Sequence, residues 1–384
     1  MTLGGASAWV RFQRGPGMRC WLAFLAAAAL AAGAARAGVR LEWDPANARL
    51  IEEGATYGRI KRLDGNTLLL CSEKRGRSWV RRGNSEGTAW EPPVLAATNP
   101  HGSAANPELC VLRDGTVLLA WNNRPRPDGG PHRYSIQLAR SRDGGRTWKP
   151  DPGPVFAGGT VGSDGVWEPA LLELPGGELQ LFFADEASVG TGQQITVMSS
   201  RDHGATWGAP RRACFRDGHR DGMPVPALLD GRIAIAIEDN GLPGPDGQPG
   251  LFRPTLVTTA LDKPWLLPVQ AGHPDRWAAL AVPPPEGSDL GAPYLCALPG
   301  GGTVLSVQSN EDDRRWHRCA VYVGDDQGRR FAQRSLPFGL PPESSCLWNS
   351  LFVRDARTVL ALGDVRLHGR RGLWLNAGRV VRAP

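Results

Sequence analysis

The feature that most constrains how this chain can fold is an internal repeat that runs along nearly its whole length. One unit recurs: an apolar strand, a tight turn of the Asp-Gly or Gly-Gly kind, a second apolar strand and a polar cluster. Six copies can be read, LDGNTLLLCSEKR around Gly65, RDGTVLLAWNNR around Gly115, PGGELQLFFADE around Gly177, LDGRIAIAIEDN around Gly231, PGGGTVLSVQSNE around Gly301 and RDARTVLALGDVR around Ala356. Gly and Asp tolerate the positive φ of such a turn, so each copy is a β-hairpin. The turns stand about 50 to 70 residues apart, room for four strands and their loops, with no extended helical periodicity between them. Four-stranded sheets repeated six times close into a ring, so the expected fold is an all-β, six-bladed β-propeller over 38–384. Stacked sandwiches are the alternative, but they rarely carry one unit at so regular an interval.

The first 37 residues fall outside the repeat. Arg11, Arg14 and Arg19 precede an apolar run, Trp21 to Ala35, that ends in the small-residue pattern Ala35, Arg36, Ala37. This pattern predicts a signal peptide over 1–37, cleaved after Ala37, and hence a periplasmic or extracellular protein; Met18 opens an equally complete signal. The run is shorter than the ~20 residues a membrane helix needs, so no membrane anchor is expected after cleavage. Cleavage removes four of the 44 Lys and Arg residues and none of the 38 acids, so the small remaining excess argues for no nucleic-acid partner. A monomer is the expected state. Cys71, Cys110, Cys214, Cys296, Cys319 and Cys346 follow the signal. Their even number permits disulfides, but four lie in strand-like apolar runs and none has the spacing of a zinc or redox motif, so buried thiols compete.

Two octapeptides follow hairpins at a steady offset, SRDGGRTW (Ser141 to Trp148) and SRDHGATW (Ser200 to Trp207). Weaker copies are GNSEGTAW, with Ser85, Gly87 and Trp90, and GDDQGRRF, with Asp326, Gly328 and Phe331. The chemistry is that of a turn: a carboxylate accepts backbone N–H groups, Gly supplies positive φ and Trp covers the hairpin. Each offers one carboxylate where a Ca²⁺ site needs several, so no metal is expected at Asp143 or Asp202.

In a propeller the innermost strands surround the axis, and residues just before each first strand converge there. These are Tyr57 and Arg59, Asn106 and Glu108, Trp167 and Glu168, Arg220 and Asp221, Pro293 and Tyr294, and Trp348 and Asn349. Polar packing between blades is the structural alternative for them. A second set marks the ends of the returning strands: Glu73, Asn122, Asp185 and Glu186, Glu238, Gln308 and Asp364. Glycosidic bond cleavage needs one protonated and one ionised carboxyl group, and Glu168 with Glu238 is the pair these sets favour. Burial raises one pKa and a neighbouring Arg keeps the other group ionised, although two acids at strand ends also occur on solvated faces.

The octapeptides match the Asp-box pattern Ser-x-Asp-x-Gly-x-Thr-Trp. With Arg59 in GRI and the blade spacing, they resemble the sialidase superfamily over nearly the whole mature chain. Within it, ANPELCVLRDGTVLLAWNNR, VWEPALLELPGGELQLFFADE, RDGMPVPALLDG and IAIAIEDN look most like the exo-1,5-α-L-arabinanase family, in the same order. That resemblance implies a retaining mechanism with Glu168 as nucleophile and Glu238 as acid/base. Their carboxyl groups would then stand ~5–5.5 Å apart. Arg59, Asn106, Trp167, Arg220, Asp221 and Tyr294 would line the sugar pocket, and neither a metal nor an organic cofactor is required.

A true sialidase would present an arginine triad to the substrate carboxylate. Arg59 fits its first member, while Arg253 and Arg276 stand in no recognisable motif and no Asp follows KRG where the acid belongs. The alternatives to an arabinanase-like exo-glycosidase are therefore a sialidase and a non-catalytic carbohydrate-binding propeller. The arabinanase likeness weakens after about residue 245, where APYLCALPGGGTVLSVQSNE and LWNSLFVRD keep only the blade unit.

Overall fold

A computed structural model describes residues 38–126, 132–242 and 250–383, so the expected signal segment lies outside the described residues. A terminal unit, Met1–Val39 with Arg382–Pro384, falls mostly outside them as well, and the body Arg40–Val381 carries everything that follows.

The body consists of antiparallel sheets taken in chain order. Blade 1 is Thr56–Arg62, Thr67–Lys74, Arg77–Asn84 and Val94–Ala97; blade 2 is Gly102–Val111, Val117–Pro125, Ser135–Ser141 and Lys149–Pro150. Blade 3 is Val166–Glu173, Leu179–Asp185, Gln194–Ser200 and Arg211–Cys214; blade 4 is Asp221–Leu229, Arg232–Asp239, Arg253–Ala260 and Arg276–Ala278. Blade 5 is Leu290–Ala297, Thr303–Asp313, Trp316–Gly324 and Ala332–Ser335. Blade 6 is Cys346–Asp355, Thr358–Leu367 and Arg370–Arg382, completed by Val39–Trp43, with Arg49–Glu53 also paired to its third strand. The first strands touch one another in sequence, and that of blade 6 returns to that of blade 1. The result is a closed six-bladed propeller, each predicted hairpin supplying the first two strands of its blade.

The core lies between neighbouring blades, which is why the second strands read as almost continuous apolar runs. Phe182 of blade 3, with Ile195 and Val197, packs against Ile233, Ile235 and Val257 of blade 4, all fully buried. Each such side chain contributes about 1.5–3 kcal/mol of transfer free energy. Cys71, Cys110, Cys214, Cys319 and Cys346 are buried and Cys296 is half-buried, and all six are free thiols.

The octapeptides form the turns expected of them. Asp143 Oδ1 accepts from the N–H of Thr147 at 2.9 Å and Oδ2 from its hydroxyl at 2.5 Å; Asp202 does the same with Thr206. The weaker copies correct the sequence reading by one residue. In GDDQGRRF the side chain that accepts from the backbone N–H four residues on is Asp325, at 2.8 Å, and Asp326 instead accepts from Gly302 N. In the first copy Asn84 takes that role, accepting from Thr88 N at 2.9 Å. One acceptor satisfies the turn from either position, which explains how the pattern decays without losing its geometry.

A second repeat is a property of the backbone. In every blade the first strand carries one extra residue opposite the second, a β-bulge: in blade 3 Trp167 pairs with Ala184 but the next pair is Ala170 with Phe182. The bulged residue has positive φ in all six blades: Tyr57 (53°), Asn106 (49°), Glu168 (44°), Met223 (48°), Ala292 (48°) and Trp348 (54°). None is glycine. Since all six blades share the conformation, it belongs to the architecture and is no signature of catalysis.

Candidate active site

The six bulged residues form a ring around the axis, and the ring is divided. Tyr57, Met223 and Ala292 pack together with Trp348 as an apolar arc. Asn106 and Glu168, from blades 2 and 3, make the polar arc. The sequence placed the blade 4 and blade 5 positions at Arg220/Asp221 and Pro293/Tyr294; the bulge shifts them to Met223 and Ala292. Pro follows the bulged residue in four blades, as Pro107, Pro169, Pro224 and Pro293. Pro lacks an N–H, which an unpaired bulge position can spare, so this spacing is the signal that could have located the ring.

Behind the ring stand the residues opposite the bulges, Glu73, Asn122, Ala184, Glu238, Gln308 and Asp364. Five of these were anticipated; in blade 3 the position is Ala184. There Asp185 is buried on Thr196 and Gln194, and Glu186 lies just beyond the strand. Three of the set tie their blade to the next ring residue: Glu73 accepts from Asn106 N at 3.3 Å, Glu238 from Ala292 N at 2.9 Å and Gln308 from Trp348 N at 2.9 Å.

Glu168 and Glu238 are brought to the same site from neighbouring blades. Burial raises the Glu238 carboxyl to about 7, and the charge of Glu168 adds to the rise, against the Ala292 N–H and Arg220. Gly222 and Gly291 make room for it: a Cβ on Gly222 would lie 2.9 Å from Glu238 Oε1 and one on Gly291 3.1 Å from Oε2. Burial also raises Glu168, opposed by the nearby cations Arg124 and Arg220. Arg124 Nη2 lies 3.7 Å from Glu168 Oε1, and its guanidinium stacks over the Trp167 ring at 5.0 Å and donates to Asn106 Oδ1. Sequence reasoning missed Arg124, which closes the repeat copy RDGTVLLAWNNR.

The other predicted pocket residues divide. Asn106 is on the ring. Trp167 donates from Nε1 to Glu186 at 3.1 Å, and Arg220 pairs with Glu186 at 3.2 Å while its side chain stays half-exposed, so these border the site. Arg59 does not: it is 1% exposed, its guanidinium lying 3.8 Å from the centre of the Tyr57 ring and donating to Gly58 O and Trp348 O. Nor does Tyr294, which lies a layer below the ring in an axial cavity of about 110 Å³, near the Lys61–Glu108 ion pair (2.8 Å). Asp221 is fully buried and held by Arg276 through two 2.6 Å hydrogen bonds. These three were misplaced because side chains two residues either side of a bulge face another layer, a shift a strict alternation cannot show. Among the described residues no group of three His, Cys, Asp or Glu side chains is placed to hold a metal ion.

No protein-family model matches the chain, and no curated protein sequence matches it. Solved structures do. The chain is similar to the GH93 α-L-arabinofuranosidase of Fusarium graminearum in complex with arabinobiose, at 21% identity over 90% of this chain and 97% of that one, with a TM-score of 0.66. It is similar to the α-L-arabinanase of Penicillium chrysogenum complexed with arabinobiose, at 19% identity over 88% and 96%, with a TM-score of 0.64. Trypanosoma rangeli sialidase in complex with sialic acid matches at 14% identity and a TM-score of 0.54, over 90% of this chain but 59% of that one. At such identities these likenesses establish the fold: a six-bladed propeller of the sialidase-like superfamily, with the arabinose-active structures as the better geometric match.

Proposed function

We propose that the protein is a retaining exo-acting glycoside hydrolase, arabinanase-like, with Glu168 as nucleophile and Glu238 as acid/base. The observation that carries this reading is the divided ring. Glu238, on the apolar side, has its carboxyl near 7 and is protonated at neutral pH, fit to donate to a leaving oxygen. Glu168, on the polar side, faces Arg124 and Arg220, which favour its ionised form. In the first step Glu168 attacks the anomeric carbon while Glu238 protonates the departing oxygen. In the second, water activated by Glu238 releases the sugar. The solved structures bearing arabinobiose support a carbohydrate substrate. A sialidase is disfavoured because all three candidate arginines are engaged within the fold: Arg59 beneath Tyr57, Arg253 on Phe252 O and Ser288 O, and Arg276 on Asp221 and Asp239. The exported location follows from the signal peptide expected over 1–37.

The test is a screen of aryl glycosides, arabino-oligosaccharides and a fluorogenic sialoside, with the anomer first released followed by proton NMR. Release of single terminal units with retained configuration is expected; inversion would exclude Glu168 as a nucleophile, and activity confined to the sialoside would replace the whole assignment.

The two carboxyl groups also fix the pH response. Activity needs Glu238 protonated, so kcat/KM is expected to fall as pH rises through about 7. It needs Glu168 ionised, so it falls again on the acidic side. Arg124 opposes the effect of burial on Glu168, so Arg124→Met is expected to move the acidic limb upward and narrow the bell. An unchanged acidic limb would show that Arg124 does not set this ionisation.

A further inference from the structure

Beside the carboxyl pair, between blades 3 and 4, lies an open cleft of about 450 Å³, a volume in the range of small-molecule sites. It shares a wall with the site. Gln193, which lines the cleft, donates to Glu186 Oε1 at 3.2 Å, and Glu186 in turn bonds Trp167 and Arg220.

Three features of the lining point to one kind of occupant. Gln193 and Gln194 are 3% and 4% exposed, and the side-chain carbonyl oxygen of each has no hydrogen-bond partner among the described residues. Buried acceptors are nearly always satisfied, so this wall is short of donors, which sugar hydroxyls supply. Phe215 offers a ring of the kind that sugars stack on, and the Arg212 guanidinium lies 4.3 Å from its centre. The third feature is Arg212 itself. Arg216 is committed to Asp239 at 3.1 Å and Arg220 to Glu186, but among the described residues Arg212 has neither a hydrogen bond nor an ion pair. Its planar fork matches a carboxylate.

From these contacts we infer that the cleft is a second sugar subsite that takes an acidic sugar, a uronic acid residue in the chain whose neighbouring unit reacts. The inference rests on the glycosidase reading for its link to the reaction, though not for binding itself. The substrate class is then a uronate-bearing oligosaccharide rather than a wholly neutral one.

The experiment is calorimetric titration of the protein with trigalacturonate and with neutral galactotriose. The acidic probe is expected to bind at least about tenfold more tightly at low salt, a typical yield for one charge-assisted contact. Arg212→Gln is expected to remove that preference and Arg212→Lys to recover part of it, with thermal unfolding confirming that both variants fold. Equal binding of the two probes, or a preference that survives Arg212→Gln, would overturn the inference. Hydrolysis of simple aryl glycosides by the wild-type protein reports on the glycosidase reading separately. Hydrolysis without an acidic preference sinks the subsite alone, and an Arg212-dependent preference without hydrolysis sinks the catalytic assignment alone.

Discussion

Glu168→Gln is expected to abolish turnover, by on the order of 10⁴-fold or more in kcat, because an amide cannot form the glycosyl intermediate. The loss should not reflect misfolding: Glu168 is half-buried, and Arg124 keeps its contact with Asn106 when the charge is gone. Glu238→Gln is expected to slow hydrolysis by about 10²–10⁴-fold for substrates with poor leaving groups, and by less for activated aryl glycosides that need no proton. The fold itself supplies the control for this variant. In blade 5 a glutamine already occupies the equivalent position, where Gln308 accepts from Trp348 N at 2.9 Å, so a glutamine at 238 can keep the bond to Ala292 N. Rates of both variants on aryl glycosides of graded leaving-group acidity decide the matter. Undiminished hydrolysis in both would remove the carboxyl pair from the mechanism.

The second large effect concerns stability. Arg276, 8% exposed, binds Asp221 through both oxygens and reaches Asp239 at 2.6 Å, while Arg216 covers the other side of Asp239. Arg276→Met leaves two buried carboxylates short of their cation, and removing one partner of a buried pair costs about 3–5 kcal/mol. Urea unfolding at neutral pH should show this loss. The sign of its pH dependence follows from the carboxylates. Burial raises Asp239, but Arg276 and Arg216 outweigh it and hold the carboxyl below its usual range. In the wild type this contribution is full above the ordinary carboxylate value and is lost as pH falls through the lowered one. Asp221 runs the other way: burial outweighs Arg276 and raises it, so its contribution is present at low pH and lost as pH rises through the raised value. In the variant both carboxyl groups favour protonation, so the deficit should shrink as pH falls. A deficit under 1 kcal/mol at neutral pH, or one that grows on acidification, would contradict this account.

The blade count and the six hairpins were legible because a turn is a local event: Asp-Gly and Gly-Gly at a strand end specify it without reference to the rest of the chain. Glu168 and Glu238 were legible for a related reason, since each stands at a strand end whose alternation is readable. The layers of the axis were not. A bulge adds one residue to one strand, and the side chains around it change layer together, so Arg59 and Tyr294 went below the ring and Asp221 into an ion cluster. Arg124 escaped notice because nothing local distinguishes it; its importance comes from Glu168, Asn106 and Trp167, which the fold brings to it from elsewhere in the chain.

The ring of bulged residues bears on how such a site changes over time. The unusual backbone is already present in every blade, so a new group at the axis requires no new turn, insertion or change of register. Met223 and Ala292 occupy the same kind of seat as Glu168, with the same left-handed conformation and the same distance along their strands. A single base change there exchanges one side chain for another on a scaffold that already accepts it. Six interchangeable seats around one axis let the chemistry be rewritten residue by residue while the architecture stays inherited.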